Sequence, residues 1–208
     1  LEHDVTIHTS DGLWLASPVL YWLPDREEMT TEEAVRIETD HMLLRGRGAV
    51  GHSQLKTAVI ARDIELVLNP AAEEPAGEPV SHVHITCDGP LVFEYAKGVA
   101  TFEQNVHVKD AQGDLYSDKL IAYVDRTTRT IRYADAIGHV RIVQGPHVAT
   151  GEHAVYEPAK TKVTLLGSPS LLVYPDDEGK PGTSSMTFSA APTPLVPVQP
   201  VAIKETPP

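Results

Sequence analysis

The chain has 208 residues and a mass of 22.6 kDa, with 17 Lys and Arg against 29 Asp and Glu, a formal net charge of −12 and a pI near 5.2. That balance offers no basic stripe to displace counterions from phosphates, which excludes nucleic acid as a ligand, and no apolar run reaches the roughly 18–20 residues that span a bilayer as a helix. A single cysteine, Cys87, forbids an internal disulfide, and without a CxxC pair or a Cys/His cluster there is no structural zinc site. The chain opens on Leu1 and not on Met, as a trimmed chain does, so an absent export leader carries no weight.

Taken in chain order, the dominant pattern is alternation of apolar and polar residues, the mark of half-buried strands. DVTIH sets Val5 and Ile7 against Thr6 and His8, and the Asp11-Gly12 turn follows. REEMTTEEAV, residues 26–35, has a helical composition, with a loop between strands as its rival. DIELVL (Ile64, Leu66, Leu68) is a further strand, and the Pro/Ala/Glu segment after it predicts a linker at 70–79 between a first part, 1–69, and a second, 80–175. In the second part ATFEQNVHV puts Phe102, Val106 and Val108 on one parity and Thr101, Glu103, Asn105 and His107 on the other; GHVRI (Val140, Ile142) and TKVTLLG (Val163, Leu165) repeat the pattern. Gly89-Pro90, Gly113-Asp114, Gly145-Pro146 and Gly167-Ser168-Pro169 are the expected turns. Eight of the 17 prolines lie between Pro175 and Pro208, so 176–208 reads as a disordered or extended tail, or as a linker to a further module.

An internal repeat underlies these strands. Aligning the chain from Leu1 with the chain from Phe102 matches Val5 with Val106, Ile7 with Val108, Ser17 with Ser117 and Asp25 with Asp125. In a third copy Val140 and Ile142 take the first-strand places, and Tyr156 takes that of Tyr21 or Tyr123. Each unit is two strands and a turn. Such a unit cannot bury its apolar face alone, so successive units must stack or curl around a shared interior, giving an all-β, antiparallel sheet folded over on itself.

These residues resemble a known family, the OstA-like periplasmic proteins of lipopolysaccharide transport, LptA and LptC. The LptA-like pattern lies in the second part: VFEYAKGVATFEQNVHV, a glycine turn, Ser117-Asp118 before an apolar strand with Leu120, Ile121 and Tyr123, then Ala136, Gly138, Val140 and Ile142, and ATGEHAVYE leading to VTLLGSPSL. The first part resembles LptC in DVTIHTSDGLWLASPVLYW, the EAVRI strand (Val35, Ile37), and Gly46, Gly48 and Gly51 ahead of an apolar strand. Where that pattern has glycine before the first-strand valine, this chain has Asp4 and Asn105.

The resemblance implies an all-β, antiparallel, twisted open jelly-roll, a folded "β-taco" of repeated two-strand units whose apolar interior shelters the acyl chains of lipopolysaccharide or a related glycolipid. It implies a periplasmic place in outer-membrane biogenesis of a Gram-negative cell, with an N-terminal anchor in the inner membrane as one arrangement. The groove expected on this chain is lined by Val5, Ile7, Phe102, Val106, Val108, Leu120, Val140, Ile142, Val163 and Leu165, with Gly138 and Gly167 leaving space on the same parity. Burial of alkyl chain contributes roughly 0.8 kcal/mol per methylene, so acyl chains can be held without a basic cluster for the phosphates. Taken singly, inward strand positions are mostly packing. Partners are expected edge to edge, other modules of this type or a second copy, at the strand of Val5 and at the last strand, Leu171, Leu172 and Val173.

Enzymatic readings find little to stand on. His82 and His84 in SHVHI share a strand face at a spacing suited to a common metal, but a third ligand is not identifiable. His8, His107 and His139 lie on polar parity and read as solvated surface. Asp176-Asp177 and Glu73-Glu74 fall in tail and loop, unsuited to a preorganised acid and base, and no GxSxG, P-loop, HExxH or GxGxxG arrangement occurs. No catalytic residue, metal or cofactor is therefore assigned. The rivals are a β-solenoid polysaccharide lyase or hydrolase, which needs Asp, Lys or Arg clustered on one sheet face, and a non-lipid adhesin or scaffold domain.

Overall fold

A computed structural model describes residues 2–9, 12–52, 56–68, 82–125, 131–160, 162–173 and 187–190. The strands are β1 (Glu2–His8), β2 (Trp14–Val19), β3 (Tyr21–Leu23), β4 (Glu28–Thr39), β5 (Met42–His52), β6 (Thr57–Leu68), β7 (Val83–Cys87), β8 (Leu91–Glu94), β9 (Val99–Lys109), β10 (Asp114–Val124), β11 (Ile131–Gln144), β12 (His147–Glu157), β13 (Lys162–Leu166), β14 (Ser170–Leu172) and β15 (Thr187–Ala190). They form one meandering sheet, antiparallel throughout except for the pair β13–β15. The strands on either side of the expected linker, β6 and β7, are hydrogen-bonded neighbours, and residues 69–81 themselves lie outside the described residues.

The long strands bend once, near their middles, and the bends line up into a crease. Register shifts fall between Thr31 and Ala34, Arg45 and Arg47, Ser117 and Lys119, and Ile137 and Val140. A bulge inserts residues on one strand only, so it bends that strand and increases its twist. The backbone there takes positive φ at Asp63, Gln104, Asn105, Gly138 and His139, the left-handed region that glycine, Asn and Asp tolerate best. Asn105 thus does the conformational work of the glycine expected before the first-strand valine, and its Nδ2 donates to Asp88 Oδ2 at 2.6 Å.

The crease divides the sheet into two walls. Wall A holds β1, β2, β7, β14 and the halves 34–39, 42–46, 64–68, 106–109, 114–117, 140–144 and 147–151. Wall B holds β3, β8, β13, β15 and the halves 28–31, 49–52, 57–60, 99–103, 119–124, 131–137 and 153–157. Inward residues of both walls join one apolar core.

Several expectations are corrected by this geometry. Residues 28–35 are strand, neither helix nor loop: Thr31 and Val35 both point inward, and the bulge between them breaks the alternation that would have revealed it. Gly89-Pro90 and Gly167-Ser168-Pro169 are not chain reversals. β7 and β8 both pair with β6 and β9, and β13 and β14 both pair with β12, so each glycine interrupts one strand at the crease. Gly138 and Gly167 do not open the interior; both have positive φ, and a Cβ would run into the side chains of Asp118 and Glu152.

The repeat itself is visible as register. Val5 faces Ser17, Val106 faces Ser117 and Val140 faces Gly151. Ser17 and Ser117 are buried, and each hydroxyl donates to the carbonyl two residues on, Val19 O at 3.0 Å and Lys119 O at 3.1 Å, bracketing the bend. The tyrosines do not correspond: Tyr156 packs on the core, Tyr123 stacks on Tyr133 at 4.0 Å, and Tyr21 is exposed. Of the expected tail, Thr187–Ala190 forms β15 in the proline-free stretch between Pro181 and Pro192; the rest lies outside the described residues.

Candidate lipid groove and its end strands

Cross-strand pairing carries the inward residues into rows that run across the sheet. Next to the crease, wall A presents Val5, Val35, Ile64, Cys87, Val106 and Val140, all buried. Further out its row is Ile7, Leu15, Ile37, Leu44, Leu66, Ile85, Val108, Leu115, Ile142 and Ala149, each the register partner of the next. On wall B the crease row is Thr31, Ala49, Ile60, Leu91, Phe102, Leu120, Ala136, Ala154 and Leu165. The row outside it is Met29, Gly51, Ala58, Phe93, Ala100, Ala122, Ala134, Tyr156 and Val163. No charged side chain enters any of these rows.

Burial grades outward from the crease. Phe102, Val106 and Val140 are 1% exposed, whereas Leu13, Met42, Leu68, Val83, Ala100, Val108, Leu115, Ile131 and Tyr156, nearer the strand ends, are only partly buried against the core; Leu15 on β2 and Ala49 in the crease row of β5 are partly buried too. The interior is therefore a V, sealed at the bottom and apolar but incompletely covered at its lips. The sequence-expected groove residues divide accordingly. Phe102, Val106, Leu120, Val140 and Leu165 lie at the sealed crease; Ile142 and Val163 are buried one row out; Val108 is half-buried toward the lip; Val5 and Ile7 belong to the end strand. What alternation missed is the small-residue row Gly51, Ala58, Ala100, Ala122 and Ala134 on wall B, because alanine and glycine carry little weight in a hydrophobic period.

Cys87 lies in the same interior, and burial pushes its thiol up to about 11. It is a protonated, packed residue at neutral pH, since the thiolate is the reactive form.

Histidine chemistry stays on the outer surface. Five cross-strand pairs join a histidine to a carboxylate: His52–Glu28 at 2.9 Å, His84–Glu65 at 3.2 Å, His107–Asp114 at 2.7 Å, His139–Asp118 at 2.7 Å and His153–Asp135 at 3.3 Å. Among the described residues no group of three or more His, Cys, Asp or Glu could hold a metal ion, and His84, one of the two histidines in SHVHI, faces Glu65. Asp176-Asp177 and Glu73-Glu74 lie outside the described residues. Two outer arginines of wall A are paired as well, Arg36 with Glu38 and Arg45 with Glu65, both solvent-exposed and worth little to stability.

His139 titrates above the ordinary imidazole value because Asp118 accepts its hydrogen bond and adds a nearby negative charge. Its folded pKa exceeds the unfolded one, so the stabilisation is complete below the unfolded value, near 6.5, and disappears as pH rises through the raised value. An NMR titration is expected to place His139 above a free histidine, and Asp118→Asn to return it. The small stability advantage of the wild type over Asp118→Asn should exist only on the acid side of that window; an advantage that persists at pH 9 would contradict the assignment.

Exposed apolar side chains gather at the ends of the sheet. Of the eight large apolar residues left exposed among those described, Tyr21, Trp22 and Leu23 are on β3, and Leu171, Leu172 and Val173 are on or just after β14. β1, carrying Val5, pairs only with β2 on the described path, β3 only with β4, and β14 only with β12. These are the unpaired edges of the meander.

No helix among the described residues is long and apolar enough to cross a membrane. No curated protein matches the chain. Residues 85–183 match the family model described as LptA/(LptD N-terminal domain) LPS transport protein, which makes this stretch, from β7 through β14, similar to a lipopolysaccharide-transport domain of the OstA-like type.

Proposed function

We propose that the chain is a non-enzymatic periplasmic carrier in which the acyl chains of lipopolysaccharide, or of a related glycolipid, lie in the V between the two walls while the sugars remain in water. The observation that carries this reading is the uninterrupted apolar lining, which crosses the sheet from Ile7 on β1 to Ala149 on β12 and grades from sealed at the crease to half-covered at the lips. Each methylene that enters such a lining contributes roughly 0.8 kcal/mol. The family match supports this for 85–183; the LptC-like character of 1–69 rests on its sequence pattern and on its share of the same lining.

In this reading the two parts on either side of 70–79 act as one groove. The protein bridges inner- and outer-membrane components by pairing at its edges, β1 and β3 at one end and β14 at the other. The concentration of exposed apolar side chains there supports it, since an unpaired strand edge is a template for another strand. The histidine–carboxylate pairs are spread one to a strand pair over the outside and do not converge as a polysaccharide-cleaving site requires.

The test is photo-crosslinking in cells from the half-covered lip, at Val108 and Tyr156, with outward-facing His107 as control. Capture of glycolipid from Val108 and Tyr156 but not from His107 is the expected result. Capture from none of the three, in protein that is folded and exported, would leave a scaffold or adhesin domain as the better description.

A further inference from the structure

The edge of wall B beside β13 is occupied, and the occupant is the chain's own β15. Lys162 faces Thr187, Val163 faces Phe188, Thr164 faces Ser189 and Leu165 faces Ala190, in the only parallel pairing among the described strands. β15 is four residues long. It cannot grow far, because Pro181 precedes it and Pro192 and Pro194 follow it, and proline neither donates to a ladder nor tolerates a central strand. Parallel pairing is also slightly less stable per residue than antiparallel. A short parallel strand ahead of a proline-rich segment is a weakly held neighbour.

The opposite end of the same wall presents β3, which among the described residues pairs with β4 alone and exposes Tyr21, Trp22 and Leu23. Its direction matters. β3 runs antiparallel to β4, and each step from β4 through β5, β6, β8, β9, β10, β11 and β12 to β13 is antiparallel. These steps are even in number, so β13 runs with β4 and against β3. A second copy placed end to end in the same orientation therefore offers β13 an antiparallel partner. Trp22, which faces Met29, heads the wall B row that ends at Val163, so the inward row would continue from one copy into the next.

We infer that β15 is a built-in cap on the β13 edge, holding the place that β3 of a second copy takes on head-to-tail assembly, and that it must leave before the copies can join. This rests on the edge-to-edge reading above and adds its regulation: the cap keeps a sticky edge covered until a strand that can pair antiparallel competes for it.

The experiment compares three forms of the full chain by sedimentation velocity over a concentration series. In the released form, Phe188→Pro/Ser189→Pro, the two substituted residues are adjacent, so one of the lost N–H groups faces β13. In the locked form, Lys162→Cys/Thr187→Cys, a disulfide ties the cap to its edge, and buried Cys87 does not compete. The released form is expected to associate at about tenfold lower concentration than the wild type, the oxidised lock to stay monomeric throughout, and reduction to return it to wild-type behaviour. Adding Trp22→Asp to the released form should restore the monomer. Equal association of wild type and released form, abolished in both by Trp22→Asp, overturns the cap and leaves edge-to-edge assembly standing. Association of the released form that ignores Trp22→Asp overturns β3 as the incoming strand. No association in any form overturns the cap and self-assembly together.

Discussion

Phe102→Ala is expected to lower the free energy of unfolding by about 3–5 kcal/mol, the range for truncating a fully buried phenylalanine. Phe102 is 1% exposed and sits at the crease of wall B between Leu91 on β8 and Leu120 on β10. The loss has two parts, the transfer of a large side chain back toward water and the cavity left behind. A crease whose bends are set by bulges cannot close over that cavity easily. Urea denaturation measures it as a fall in midpoint at unchanged slope. Val108→Ala, half-buried at the lip, is the comparison and should cost about 1 kcal/mol or less. Val106→Ala, matched in size and made at a residue 1% exposed, is the control: if it costs no more than Val108→Ala, burial does not grade from crease to lip and the V-shaped interior is wrong.

Gly89→Ala is expected to be nearly as damaging, by about 2–4 kcal/mol, for a backbone reason. Gly89 is buried at the crease with φ +115°, a conformation that side chains rarely adopt, and an added Cβ would overlap the carbonyl oxygen of Ala61 and crowd Cα of Arg62 at 2.8 Å. Those are main-chain atoms of the neighbouring strand, which cannot swing aside as a side chain can. Gly145→Ala isolates the conformational part: Gly145 has φ +55° in the β11–β12 turn and nothing within 4 Å of a Cβ. It should cost only about 1–2 kcal/mol. A Gly89→Ala protein no less stable than Gly145→Ala would show that the two strands at the crease are not in close contact.

The gap between sequence and structure is widest at the crease. Alternation in ATFEQNVHV correctly placed Phe102, Val106 and Val108 inward, yet Gln104 shares their parity and is exposed, because it and Asn105 form the left-handed bend. In β4 the same kind of bend hid a twelve-residue strand behind a helical composition, since Thr31 and Val35 are separated by the three exposed residues Glu32, Glu33 and Ala34 at the turn of the sheet. Ser17 and Ser117 were legible as a repeat, but their shared purpose, a hydroxyl bracing the bulge, needs the hydrogen bond to be seen. Tyr21, Tyr123 and Tyr156 were matched by spacing alone and point to different surroundings, because one residue more or less beyond a bulge moves a side chain to the other face.

The sequence by itself determined that this chain is all-β, that most of its strands carry apolar residues on one face, and that no charged cluster lies among the apolar ones it picked out. Those are properties of single strands, written in a two-residue period and in which side chains water rejects. Only the tertiary structure decided that the glycine–proline sites at Gly89 and Gly167 bend strands instead of ending them, that the inward rows run unbroken past residues 70–79, and that β15 lies on the last edge of wall B. Each of these depends on which strands are hydrogen-bonded to which, and a ladder joins residues far apart in the chain whose own local pattern is the same whether they pair or not.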